Sequence, residues 1–112
     1  CEAVAPLGLA YLHIMRSPLA DLDAFALARR HSPHALILND GFDGHSASAA
    51  LASGEGAAVS FGRHFIANPD LVERLKHGLP LSGFNRKTLY TPGRAGYSDY
   101  PTYQANAQEV AR

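Results

Sequence analysis

Tryptophan is absent from this 112-residue sequence, and cysteine occurs once, as Cys1. A lone cysteine excludes an internal disulfide and any cysteine-built zinc or iron–sulfur site within the chain. It also favours a reducing compartment, so the expected location is cytoplasmic. Neither sign of charge is in excess: 10 Lys and Arg offset 10 Asp and Glu, for a formal net charge of zero. With no basic surplus and no polybasic run, neither nucleic acid nor an anionic lipid surface is an expected partner. No apolar run approaches the roughly 20 residues that a membrane helix needs. The histidines do not fall at metal-ligand spacing. His31 and His34 straddle Pro33, which breaks any shared helical face, so no metal site is expected.

What is present is a globular composition, 46% hydrophobic and 18% charged, outside the range of disordered chains. Leu7 to Met15 is an almost continuous apolar run and predicts a strand covered on both faces. Ser17-Pro18 ends it. A helix is expected from Ala20 to His31, with Leu22, Phe25, Ala26 and Arg29 at helical spacing. Asp21 and Asp23 lie near its positive end and Arg29, Arg30 and His31 near its negative end. Ala35 to Leu38 predicts a second strand, turned by Asn39-Asp40-Gly41-Phe42. Ser46 to Ser53 predicts a second helix ended by Gly54, with Asp43 and Ser46 as helix-start residues.

The third unit is the most informative. Ala57 to Phe61 predicts a short buried strand that turns on Gly62 and presents the cation Arg63. Asn68 is the expected N-cap of the next helix, with Pro69 at its first position, Leu71, Val72 and Leu75 as an apolar stripe and Gly78 as the stop. A strand ending in Gly-Arg suits an anion: glycine admits close backbone approach, and the guanidinium fork holds two phosphate oxygens. Read locally, Arg63 could instead pair with Asp70 or Glu73. Phe61 and Phe65 read as core residues, His64 as exposed, and His13 as a hydrogen-bonded core histidine.

From Leu79 the texture changes to an irregular tail with Pro80, Pro92, Pro101, Gly83, Gly93 and Gly96, and with Tyr90, Tyr97, Tyr100 and Tyr103. Residues 104–112 read as a short final helix. The order is strand–helix three times, which predicts three parallel, neighbouring strands. Three helices cover only one face of such a sheet and leave two open edges. A complete βα barrel takes eight units and about 250 residues. The expected fold is therefore α/β: the last three βα units of a (β/α)8 TIM barrel, to about residue 78, plus the tail 79–112, as the C-terminal part of a single domain. A free-standing three-stranded α/β domain is the alternative.

Three stretches carry a family resemblance: Val59-Ser60-Phe61-Gly62-Arg63-His64-Phe65-Ile66-Ala67-Asn68-Pro69-Asp70-Leu71, then Thr88-Leu89-Tyr90, then Gly96-Tyr97-Ser98-Asp99-Tyr100-Pro101-Thr102. In this order the chain resembles the C-terminal third of the Old Yellow Enzyme family, FMN-dependent alkene reductases. The resemblance implies units six to eight of the barrel, with FMN held non-covalently at the C-terminal ends of the strands. By position, Asn39, Asp40 and Gly41 would lie beside the FMN phosphate at the seventh strand, and Gly62 and Arg63 at the eighth. Tyr90 resembles the aromatic near the flavin and the substrate pocket. The family usually has glycine where this chain has Asp40, and a carboxylate there would repel a phosphate unless it points away.

The implied activity is NAD(P)H-driven reduction of an activated alkene. The family's substrate-binding His/His or His/Asn pair and its proton-donating tyrosine belong to earlier strands, so no catalytic residue is expected in this segment. Complementary barrel strands are the expected partner. The absence of a Cys cluster after Leu71 argues against the iron–sulfur variant of the family. Without the resemblance, Asn39-Asp40-Gly41 is a strand-exit turn and Tyr90 a packing aromatic. Two other readings stay open: a different phosphate-binding βα barrel, which would not require the stretch from Thr88 to Thr102, and a non-catalytic barrel piece.

Overall fold

A computed structural model describes residues 1–104, which fall into two compact units, Cys1–Phe61 and the unit that begins at Gly62. The first opens with a 3-10 turn, Glu2–Val4, and continues β1 (Tyr11–Met15), α1 (Ala24–His31), β2 (Ala35–Asn39), α2 (Gly44–Ala52) and β3 (Ala58–Ser60). The strands form one parallel sheet in the order β1-β2-β3, as the three strand–helix repeats predict. Tyr11 pairs with Ala35 and Met15 with Asn39, and Asn39 in turn pairs with Ser60.

Because side chains alternate along a strand, Leu12, Ile14, Leu36, Leu38 and Val59 share one face. They pack with Phe25, Ala28, Phe42, Ala47, Ala50 and Phe61 into the core of this unit. The opposite face carries Tyr11, His13 and Met15 of β1, all exposed. Two expectations are corrected here. β1 begins at Tyr11 rather than Leu7, because its partner β2 begins only at Ala35, just past Pro33. Among the described residues, one face of β1 is covered. His13 is hydrogen-bonded as expected, 2.7 Å from Ser60 Oγ, but on the exposed face rather than in the core.

Local signals fix the helix starts. Asp23 caps α1 by accepting from the Ala26 amide at 3.0 Å, so the helix starts after Asp23 rather than at Ala20. Asp43 and Ser46 form a reciprocal capping box at α2, the helix-start role expected of both. The Ser46 amide and hydroxyl hold the Asp43 carboxyl below the ordinary aspartate pKa.

The second unit holds α3 (Arg63–Ala67) and α4 (Leu71–His77), followed by an irregular segment. The single helix expected after Gly62 is thus two. Asn68 is not an N-cap but the residue that closes α3. Its side-chain amide donates to the His64 carbonyl at 2.8 Å and the Ser82 carbonyl at 3.2 Å, and its side-chain oxygen accepts from the Ser82 amide at 2.7 Å. Asp70, not Asn68, stands before α4. Leu71 is buried, but Val72 is 62% exposed, so the expected apolar stripe does not form. Gly78 ends α4 as expected.

Beside Leu71, the other buried residue of α4 is Arg74, 2% exposed. Its guanidinium donates to Asp70 Oδ1 at 2.8 Å, and at 3.2 Å to the Pro80 carbonyl, Ser82 Oγ and the Pro101 carbonyl. The two ends of the irregular segment are thereby tied to one side chain. Asp70 adds a further tie through Oδ2, which accepts from the Tyr103 amide at 2.9 Å. The expected closing helix, 104–112, lies outside the described residues apart from Gln104.

Candidate functional site

In the first unit, β2 ends at Asn39 and the chain turns through Asp40 (φ 80°) and Gly41 (φ 75°), two consecutive left-handed residues. Asp40 is the one non-glycine residue with positive φ among those described. Left-handed backbone disfavours a Cβ, and Asp and Asn tolerate it better than most side chains. That conformation gives a physical reason for glycine at the Asp40 position. The Asn39 side chain braces the neighbouring strand, donating to Ser60 O at 3.1 Å and Ser60 Oγ at 2.8 Å. With His13 on the same hydroxyl, a polar row crosses the exposed face of the sheet from β1 to β3.

Arg16 follows β1 and reaches this turn, a role the sequence reading missed. Its side-chain Nε donates to the Asp40 carbonyl at 3.2 Å. The position is legible only in retrospect, as a cation immediately after a strand.

In the second unit, Gly62 stands before α3 and Arg63 is the first residue of the helix. Gly62 has an ordinary backbone (φ −100°), and a Cβ added there would meet nothing within 4 Å. Neither strain nor internal packing demands glycine, so what the residue contributes is open space beside the Arg63 backbone. Arg63 is half-buried, its guanidinium carbon 5.6 Å from the centre of the Phe84 ring. Arg86 stands at the same distance from that ring. The ring thus holds two cations, each by a cation–π contact. Phe84 and Arg86 lie in the irregular segment and carry no periodic signal that would have marked them.

Asp70 bonds Arg74, not Arg63. His64 is half-buried rather than exposed, its ring edge-on to Phe84 with centroids 5.4 Å apart. Phe65, expected in the core, is 43% exposed, whereas Phe61 packs against the core of the first unit.

Tyr90 is 76% exposed, beside the buried Leu89. The two stretches of the segment that drew attention in the sequence are packed on one another. Gly96 (φ 71°) lies so close to Thr88 that a Cβ would collide with its side chain, and the Gly96 amide donates to Asp99 Oδ1 at 2.8 Å. The Tyr100 hydroxyl accepts from the Asn85 amide at 3.0 Å. The segment is therefore tied together by specific contacts.

Residues 16–82 match the NADH:flavin oxidoreductase / NADH oxidase family. A probable flavin mononucleotide-dependent alkene reductase of Leishmania infantum is 40% identical over 105 residues, covering 90% of this chain and 28% of that protein. Enoate reductase 1 of Kluyveromyces lactis is 56% identical over 46 residues, 41% of this chain and 12% of its own. The old yellow enzyme from Trypanosoma cruzi superimposes with a TM-score of 0.85 at 42% identity, over 92% of this chain and 28% of that one. The chain thus spans less than a third of the length of each of these relatives. The chain belongs to the NADH:flavin oxidoreductase / NADH oxidase family, that of the old yellow enzymes, whose members use FMN with NAD(P)H as reductant.

Proposed function

We propose that this chain is the C-terminal part of an ene reductase, an FMN-dependent NAD(P)H oxidoreductase acting on activated alkenes, and that it supplies contacts to the FMN phosphate. The observation that carries the phosphate role is Arg63, held by the Phe84 ring next to a glycine whose open space no internal group needs. The residues proposed to contact the cofactor are Asn39, Asp40, Gly41, Gly62, Arg63 and Tyr90. Arg63 holds phosphate oxygens through its fork. Gly62 leaves room for them. Asp40 and Gly41 act through the backbone of a left-handed turn, and Asn39, at the end of β2, anchors that turn to β3 through Ser60. Tyr90 lies near the flavin and the alkene. When bound, FMN supplies the hydride chemistry, and this chain's residues hold and orient it.

The exposed face of the sheet supports the placement in a barrel, as units six to eight and the tail 79–112 of one (β/α)8 domain. Tyr11 and Met15 lie on that face, 54% and 67% exposed, beside a hydrogen-bonded polar row. A strand face of this kind is the interior of a closed barrel, and strands from the remainder of the protein complete it. Proton transfer to the substrate falls to residues of those strands. A cytoplasmic location fits the single cysteine.

The test is Arg63→Ala in the complete protein, with FMN titrated into the apoprotein and followed by flavin fluorescence. Loss of one charge-assisted bond, about 1.5–3 kcal/mol, weakens FMN about 10- to 150-fold. Unchanged affinity overturns the phosphate assignment.

A further inference from the structure

Arg16 touches four successive residues of the turn that follows β2. Its backbone amide donates to the Asn39 carbonyl at 3.0 Å, which carries the β1–β2 ladder one residue past the strand. Its Nε donates to the Asp40 carbonyl at 3.2 Å. A Cβ built on Gly41 would stand 3.0 Å from the same Nε, so the side chain lies directly over that glycine. The guanidinium carbon is 5.0 Å from the ring centre of Phe42, and also 5.0 Å from that of Phe25 on α1. Those two rings are themselves stacked, with centroids 5.9 Å apart. The cation therefore rests against a preformed aromatic pair, with the ladder fixing one end of the residue and the rings the other.

We propose that Arg16 is a positioning residue for the FMN phosphate, acting through the Asp40–Gly41 peptide. The inference rests on the phosphate reading of Asn39-Asp40-Gly41. The peptide is planar and trans, so its carbonyl and its N–H point in opposite directions. Holding the Asp40 carbonyl toward Arg16 aims the Gly41 N–H the other way. The same bond polarises the peptide, and a carbonyl bonded to a cation makes its own N–H a stronger donor to an anion. Arg16 also places positive charge against a turn that otherwise bears the Asp40 carboxylate.

The experiment compares FMN with riboflavin, which lacks the phosphate, on the complete protein carrying Arg16→Met or Arg16→Lys. Dissociation constants come from flavin fluorescence, and thermal midpoints are recorded beside them. Arg16→Met should weaken FMN about tenfold and leave riboflavin within about twofold. Arg16→Lys keeps charge and length but lacks the planar fork and the Nε donor, so it should also narrow the preference for FMN, and it carries the test if Arg16→Met fails to fold. An unchanged preference in the folded variants, or an equal loss for both flavins, overturns the positioning role. Arg63→Ala run alongside separates the two readings. If it narrows the preference and the Arg16 variants do not, the phosphate site stands without Arg16. A parent protein with no preference for FMN over riboflavin removes the phosphate reading, and the Arg16 inference with it.

Discussion

Replacing Arg74 by Met removes a side chain of similar length and keeps much of its apolar stem, while deleting every donor of the guanidinium. Four hydrogen bonds are lost, and the carbonyls of Pro80 and Pro101 lose the partner they share. Asp70 loses its ion pair at 2.8 Å. Breaking a buried ion pair from one side costs about 3–5 kcal/mol, because the remaining charge stays in place without its counter-charge. Asp70 keeps the Tyr103 amide and a side chain 22% exposed, so the lower end, about 3 kcal/mol, applies. Urea unfolding of the complete protein measures this. Limited proteolysis of the segment after α4 should accelerate in parallel, since both of its ends are released. Val72→Ala, on the exposed side of the same helix, is the control and should stay within about 0.5 kcal/mol of the parent. A loss below about 1 kcal/mol for Arg74→Met, with unaltered proteolysis, would show that Arg74 does not hold the segment.

Asp40→Gly should tighten FMN several-fold, because it removes a carboxylate from the proposed phosphate turn. Stability should barely move: relief of about 1 kcal/mol of left-handed strain is offset by the similar entropic cost of glycine. A flavin titration with no gain means that the carboxylate faces away. Acid sensitivity should trace to Asp70, whose carboxyl is held below the ordinary aspartate pKa, first by the Tyr103 amide and then by Arg74. Its contribution is complete above the ordinary value of about 3.9 and fades as the pH falls through the lower folded value. Asp70→Asn should flatten the stability profile below that pH. A profile that keeps its slope in the variant contradicts the assignment.

Strand order was legible in the sequence because apolar runs and helix-start residues alternate, and both are local signals. The extent of β1 was not, since Leu7 to Ala10 look like strand until the start of the partner, Ala35, is known. Asn68 reads as an N-cap, but its side chain is taken instead by Ser82, 14 positions along the chain. Nothing in the sequence singled out Arg74. Its burial depends on carbonyls six and 27 positions away, which no periodicity reveals. At the candidate site, Gly62 and Arg63 stood out by residue type alone. Arg16 and Phe84 were not, because each matters through a ring or a carbonyl supplied by another segment.

The sheet runs β1-β2-β3, each strand beside the one made just before it. During synthesis no pairing in this unit has to wait for a distant portion of the polypeptide. As each successive hydrophobic stretch leaves the ribosome, the preceding one already offers it a free border. Folding of this kind can keep pace with translation and shortens the time for which Leu36, Leu38 and Val59 stay bare.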